Sequence, residues 1–292
     1  MTEEQTVAQL RRDFKASDDR RDAGLPTNVA GVRRYNDLAY GPKRPWHLLD
    51  LYVPTAAKRP LATIINIHGG GWCYGTKETY QFYGLDWARR GFAFVNPNYR
   101  LAPAVTFPAE LDDVNCYVDW VVAHADEYHL DLNNVILMGD SAGGQMAEQY
   151  ATILTNPQFR RLFGYSRPEM TVRALILNSA ATELLRPDAL AGAVRAYFPE
   201  KVVATHRAQL ATESAIQAPF LPTFICTATA DFLKPNALRL AALFKTRDIE
   251  HVYRCYGTAE QPRGHVFLID QRDPLGQRAV DDEQTFIQAH LS

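Results

Sequence analysis

Apolar residues along this chain fall into short runs separated by stretches with helical spacing. Runs at 47–53, 62–67, 92–96, 135–138, 172–177, 223–227 and 251–256 are too short for helices and predict strands. Between most of them the period lengthens. In 111–128, Val114, Tyr117, Val118, Val121 and Val122 share one side, while Asp112, Asp113, Asp119 and His124 lie elsewhere, which predicts a helix packed on a sheet. Thr2 and Gln5 have capping-box spacing, and Val7, Leu10 and Phe14 follow at helical intervals, so 2–16 is predicted as an amphipathic helix. The charged run Asp18-Asp19-Arg20-Arg21-Asp22 that follows reads as a solvated linker.

Short apolar strands alternating with helices imply an α/β fold with a mostly parallel sheet covered on both faces. Sites in such sheets lie beyond the carboxyl ends of the strands. The stretch 183–220 is longer than one crossover needs, with helical patterns at 187–198 and 204–216, and is read as a small cap hanging over that end. The periodicity favours one domain over 1–292.

Composition narrows the partners. With 47% hydrophobic residues, 22% charged residues and a net charge of −2, the chain can bury a sizeable core and offers no field for a polyanion, so nucleic acid is not an expected partner. The first residues lack the pattern of a signal peptide, and no apolar run approaches membrane-spanning length. A cytoplasmic protein with no stable membrane anchor is expected, and homo-oligomer formation stays open. Cys73, Cys116, Cys226 and Cys255 have no metal-site spacing and are expected to be reduced thiols without zinc; Cys226 and Cys255 fall on neighbouring predicted strands.

The chemistry concentrates in two motifs. Gly139-Asp140-Ser141-Ala142-Gly143-Gly144 joins the predicted strand 135–138 to a helical stretch from Gln145 to Leu154. A strand-to-helix reversal there would strain the Ser141 backbone and lift its hydroxyl clear of the sheet, with glycines relieving the crowding. Upstream, His68-Gly69-Gly70-Gly71-Trp72 ends the run 62–67 and resembles an oxyanion loop, whose backbone N–H groups stabilise the charge of a tetrahedral intermediate. The expected donors are the N–H groups of Gly69, Gly70 and Ala142.

With these motifs, Asn98-Tyr99-Arg100-Leu101-Ala102-Pro103 and Phe107-Pro108-Ala109-Glu110-Leu111-Asp112-Asp113, the chain resembles the hormone-sensitive-lipase-like carboxylesterases of the α/β-hydrolase superfamily over roughly residues 45 to 292. The resemblance implies an eight-stranded sheet with its first strands antiparallel. It also implies a helical cap, for which 1–30 and 183–220 are the candidate elements. His265, in Gly264-His265-Val266-Phe267, lies where this superfamily places its general base, and Asp231 closes the predicted strand before it, fitting the order serine, acid, histidine. The family's usual Asp-Pro-Leu is here Asp231-Phe232-Leu233. Asp188 and Glu183 are the substitutes for the acid. His68 is expected to hold the glycines, Asp140 to bond within its loop, and Arg100 to brace the oxyanion loop or pair with Asp112 or Asp113. Trp72 and Tyr74 are the weaker candidates for substrate binding.

The reading is a serine carboxylesterase acting on small-molecule esters of short to medium acyl chain, through Ser141, Asp231 and His265, without metal or organic cofactor. An amidase or arylformamidase stays open beside it, because arylformamidases resemble this fold and carry a similar His-Gly-Gly loop. A non-catalytic binding protein of the same fold is disfavoured, because all three triad positions are filled.

Overall fold

The computed structural model describes residues 2–56 and 60–292. Eight strands form one sheet: β1 (Val32–Ala39), β2 (Leu48–Pro54), β3 (Leu61–Ile67), β4 (Ala93–Pro97), β5 (Leu130–Asp140), β6 (Val172–Asn178), β7 (Thr223–Ala228) and β8 (His251–Tyr256). Their order is β1-β2-β4-β3-β5-β6-β7-β8. β1/β2 and β2/β4 are antiparallel, and every later pair is parallel. The predicted runs correspond to β2 through β8. The eighth strand that the resemblance implies, β1, was not located by pattern, and its sequence explains why: Val-Arg-Arg-Tyr-Asn-Asp-Leu-Ala lies on the sheet edge, half open to solvent and interrupted by a register shift between Tyr35 and Leu38, so no apolar run marks it.

Helices cover both faces because the inner strands alternate which neighbour they bury. Ile65, Leu137 and Leu175 pack with one apolar layer, containing Val114 and Val118 of α3 (Ala109–Ala123), which continues as the single turn α4 (Ala125–Tyr128). The same layer takes Met146 and Tyr150 of α5 (Ser141–Thr155), Phe159 of α6 (Pro157–Arg161), and Leu240 and Phe244 of α10 (Lys234–Thr246). Ile64, Ile136 and Ile176 face the opposite layer, with Trp87 of α2 (Gln81–Arg89) and Val280 and Ile287 of α11 (Pro274–His290). Two-residue alternation along strands buried on both faces is what makes them continuous apolar runs in the sequence.

Two segments depart from expectation. The N-terminal helix, α1 (Glu3–Asp22), has the Thr2–Gln5 capping box but runs through the charged stretch read as a linker. Ion pairs hold that extension helical: Lys15–Asp19 at 2.7 Å and Arg21–Asp18 at 2.8 Å. Tertiary bonds add to them, from Arg21 to the Thr79 carbonyl at 3.1 Å and from Tyr74 Oη to Asp18 at 2.9 Å. Arg272 donates to the carbonyls of Arg21 and Ala23 at the helix end. Segment 183–220 is less helical than its pattern suggests. Only Gly192–Ala196 of the first stretch forms a helical turn, of the 3₁₀ type. The second breaks into α7 (Glu200–Thr205), α8 (Arg207–Leu210) and α9 (Thr212–Ala215) at His206 and Ala211. Among the described residues no helix is long and apolar enough to cross a membrane.

Candidate active site

Ser141 is the first residue of α5, directly after β5, and its φ of +50° puts a non-glycine residue in left-handed backbone. The turn is tight enough to require its glycines: a Cβ on Gly143 would lie 1.9 Å from the carbonyl oxygen of Ile67, at the end of β3. The elbow is thereby pressed against the loop 68–71, which brings both motifs to one end of the sheet.

Asp231 and His265 come from the loops after β7 and β8. His265 Nδ1 lies 2.8 Å from Asp231 Oδ1, the geometry of an Nδ1–H donating to a carboxylate, and among the described residues Nε2 has no hydrogen-bond partner. Asp231 also accepts from the Leu233 N–H at 2.9 Å and from Thr227 Oγ1 at 2.9 Å. Burial pushes its carboxyl up. The His265 bond and charge, the Ser179 hydroxyl and the Leu233 N–H outweigh that, leaving it below the ordinary aspartate value. Ser179, which sequence reasoning missed, has a left-handed φ of +50° after β6 and also accepts from the Val266 N–H beside His265 at 3.4 Å. A lone serine after an apolar run gives no signal of that role. Neither substitute acid contacts the histidine among the described residues; Glu183 is paired with Arg239.

The glycine loop is braced from behind. His68 is fully buried, donates Nδ1–H to the Gly69 carbonyl at 2.7 Å, and stacks on Tyr99 with centroids 4.0 Å apart. Burial lowers its pKa to about 4, so the ring is neutral. Asp140 accepts from the Gly69 N–H at 3.0 Å and from Tyr80 Oη at 2.7 Å. Burial raises its carboxyl to about 6 against those bonds and the His265 charge. The consequence corrects one expectation: the Gly69 N–H is committed to Asp140 and is not free for a substrate. Gly70 and Gly71 line the cavity with Ser141, and among the described residues no acceptor is recorded for their N–H groups. Ala142, second residue of α5, lies among the N–H groups that a helix leaves unpaired. Arg100 forms a fork on Asp113, with Nη2 to Oδ1 at 2.6 Å, and Asp113 also meets His47 Nε2 at 3.1 Å.

Ser141, His265, Asp140 and the glycines open into a cavity of about 770 Å³. Leu10, Phe14 and Asp18 of α1 line it, as do Leu184 and Val194 of the 183–220 segment. Both binding candidates border it. Trp72 is mostly core, 3% exposed with its ring edge-on to Phe198; Tyr74 is tied to α1 through Asp18 and an edge contact with Phe14. Cys255 pairs opposite Thr227, one position along from Cys226, and both cysteines are free thiols.

The family model for BD-FAE matches residues 49–233. The chain belongs to the BD-FAE family. The BD-FAE match takes in the glycine loop 68–71, Ser141 and Asp231, and ends before His265. Esterase B from Lactobacillus rhamnosis superposes with a TM-score of 0.87 at 23% identity, covering 98% of this chain and 95% of that one. A bacterial heroin esterase gives 0.74 at 22% identity, covering 98% and 92%. These likenesses establish the α/β-hydrolase fold. In sequence, an esterase of Gibberella moniliformis is 39% identical over 90 residues, 30% of this chain and 28% of that protein. The arylacetamide deacetylase of Bos taurus is 33% identical over 117 residues, 38% and 29%. The chain thus aligns with less than a third of the length of these two curated relatives.

Proposed function

We propose that this BD-FAE member is a serine carboxylesterase. The observation that carries the reading is the convergence on one cavity of a left-handed Ser141 and of a His265 whose Nδ1 is held 2.8 Å from Asp231. With Nδ1 engaged by a carboxylate, Nε2 is the base that takes the Ser141 proton as Oγ attacks an ester carbonyl. The N–H groups of Gly70, Gly71 and Ala142 receive the oxyanion, Gly71 taking the place that Gly69 gives up to Asp140. His265 returns the proton to the departing alcohol, leaving an acyl group on Ser141. It then activates a water that releases the acid and restores the serine.

The cap role of α1 and of segment 183–220 belongs to the same proposal, supported by the side chains both contribute to the cavity wall. A lumen of about 770 Å³, whose wall mixes apolar side chains such as Leu10, Phe14 and Leu184 with charged ones such as Arg186 and Asp188, is the basis on which we assign acyl chains of short to medium length. Labelling with a fluorophosphonate, mapped by mass spectrometry, tests the mechanism. An adduct on Ser141, absent in Ser141→Ala, is expected, and an adduct elsewhere refutes it. A p-nitrophenyl ester series tests the chain-length claim, which fails if turnover keeps rising into long acyl chains.

A further inference from the structure

Among the described residues the large hydrophobics most open to solvent are Phe14, Leu162, Phe232 and Leu238, and two of these, Phe14 and Phe232, line the cavity. Phe232 is the most exposed of the four, at 71%, so its ring is available to a molecule that enters the cavity. Its centroid lies 4.4 Å from that of the His265 imidazole, tilted by 43°. The position is fixed by the chain on either side: Asp231 holds His265, and the Leu233 N–H donates to the same carboxylate at 2.9 Å. Phe14 borders the same cavity from α1, set edge-on against Tyr74 at 5.7 Å.

The chemistry says which part of a substrate passes beside Phe232. The imidazole must reach the leaving oxygen to protonate it, so a ring packed against the imidazole flanks the alcohol portion of an ester and not its acyl chain. One side of Phe232 meets His265, and the rest of the ring is open. An aromatic ring offers a partner ring a quadrupole as well as apolar area, which a saturated ring of similar size cannot exploit. We propose that Phe232 is a specificity-determining residue, an aromatic shelf that selects esters whose alcohol portion carries a planar aromatic group. This rests on the serine-esterase reading and adds to it a substrate class.

The experiment measures kcat/KM for benzyl acetate and cyclohexylmethyl acetate, in the wild type and in Phe232→Leu and Phe232→Trp. The two alcohols match in ring size and reach, and their difference in acidity cancels when the benzyl-to-cyclohexylmethyl ratio of each variant is divided by that of the wild type. Leucine keeps apolar bulk without the ring, so the ratio should fall by about three- to tenfold, whereas tryptophan should hold or raise it. Circular dichroism checks folding. An unchanged ratio in Phe232→Leu, with both esters slowed alike, would reduce Phe232 to a shield over His265 and overturn the proposal while leaving the esterase reading intact. Failure of the wild type to hydrolyse either ester or to take up a fluorophosphonate would overturn both.

Discussion

Replacing Gly70 and Gly71 by alanine, one at a time, separates the oxyanion role from a mere need for a turn. A Cβ on Gly70 would stand 2.0 Å from the Tyr74 carbonyl oxygen and 2.6 Å from its carbon. Both are backbone atoms of the same loop, which is closed by bonds from the Cys73 and Tyr74 N–H groups to the Gly70 carbonyl at 3.1 and 3.0 Å. The native φ of +121° adds about 1–3 kcal/mol of strain for a non-glycine residue. The loop must open, and the Gly70 N–H turns away from the oxyanion; the side chain acts by breaking the loop, not by filling substrate space. Loss of one donor predicts a kcat lower by roughly 10²- to 10³-fold on p-nitrophenyl acetate. Gly71 has a φ of +60°, and its Cβ would meet Val194 Cγ1 at 3.8 Å and Leu10 Cδ1 at 3.9 Å, ordinary contacts. Gly71→Ala should cost about 1–2 kcal/mol of stability, keep kcat within about tenfold, and act mainly on KM. Thermal melts confirm that both variants fold. A Gly70→Ala enzyme with wild-type kcat, or a Gly71→Ala enzyme as impaired as it, refutes the argument.

Asp231→Asn should preserve the contact with His265 but favour the wrong tautomer, lowering kcat by roughly 10⁴-fold; near-full activity would move the acid role elsewhere. Arg100→Ala strands the 1% exposed Asp113 without its guanidinium and should cost about 3–5 kcal/mol in urea unfolding, with a loss under 1 kcal/mol counting against it. For Asp140, the folded pKa of about 6 stands above the ordinary 3.8. The folded state therefore binds that proton more tightly, and stability falls as pH rises from about 4 to 6, by up to about 3 kcal/mol. Asp140→Asn should remove that part of the pH dependence, so the stability difference between wild type and variant changes over this window. A constant difference sinks the assignment.

What could be read in advance follows from how each feature is encoded. Strands buried on both faces announce themselves as apolar runs. β1 escaped because an edge strand needs no buried face. The helical run from Asp18 to Asp22 escaped because its support is tertiary: Tyr74, Thr79 and Arg272 are remote in sequence. The donor assignment missed at Gly69 for a related reason. Three consecutive glycines look alike in sequence, and only the Asp140 carboxylate singles out which N–H is taken.

The cavity wall begins at Leu10 on the first helix and ends at Asp270, just before the last. The stretch from Leu10 to Asp270 has therefore to be present and docked before the pocket exists. Under the proposed serine-esterase mechanism, a ribosome-bound chain carrying Ser141 has no partner histidine until His265 has emerged. Two separately expressed halves cut between those residues would each be inert, and hydrolysis regained on mixing them would report their reassociation directly.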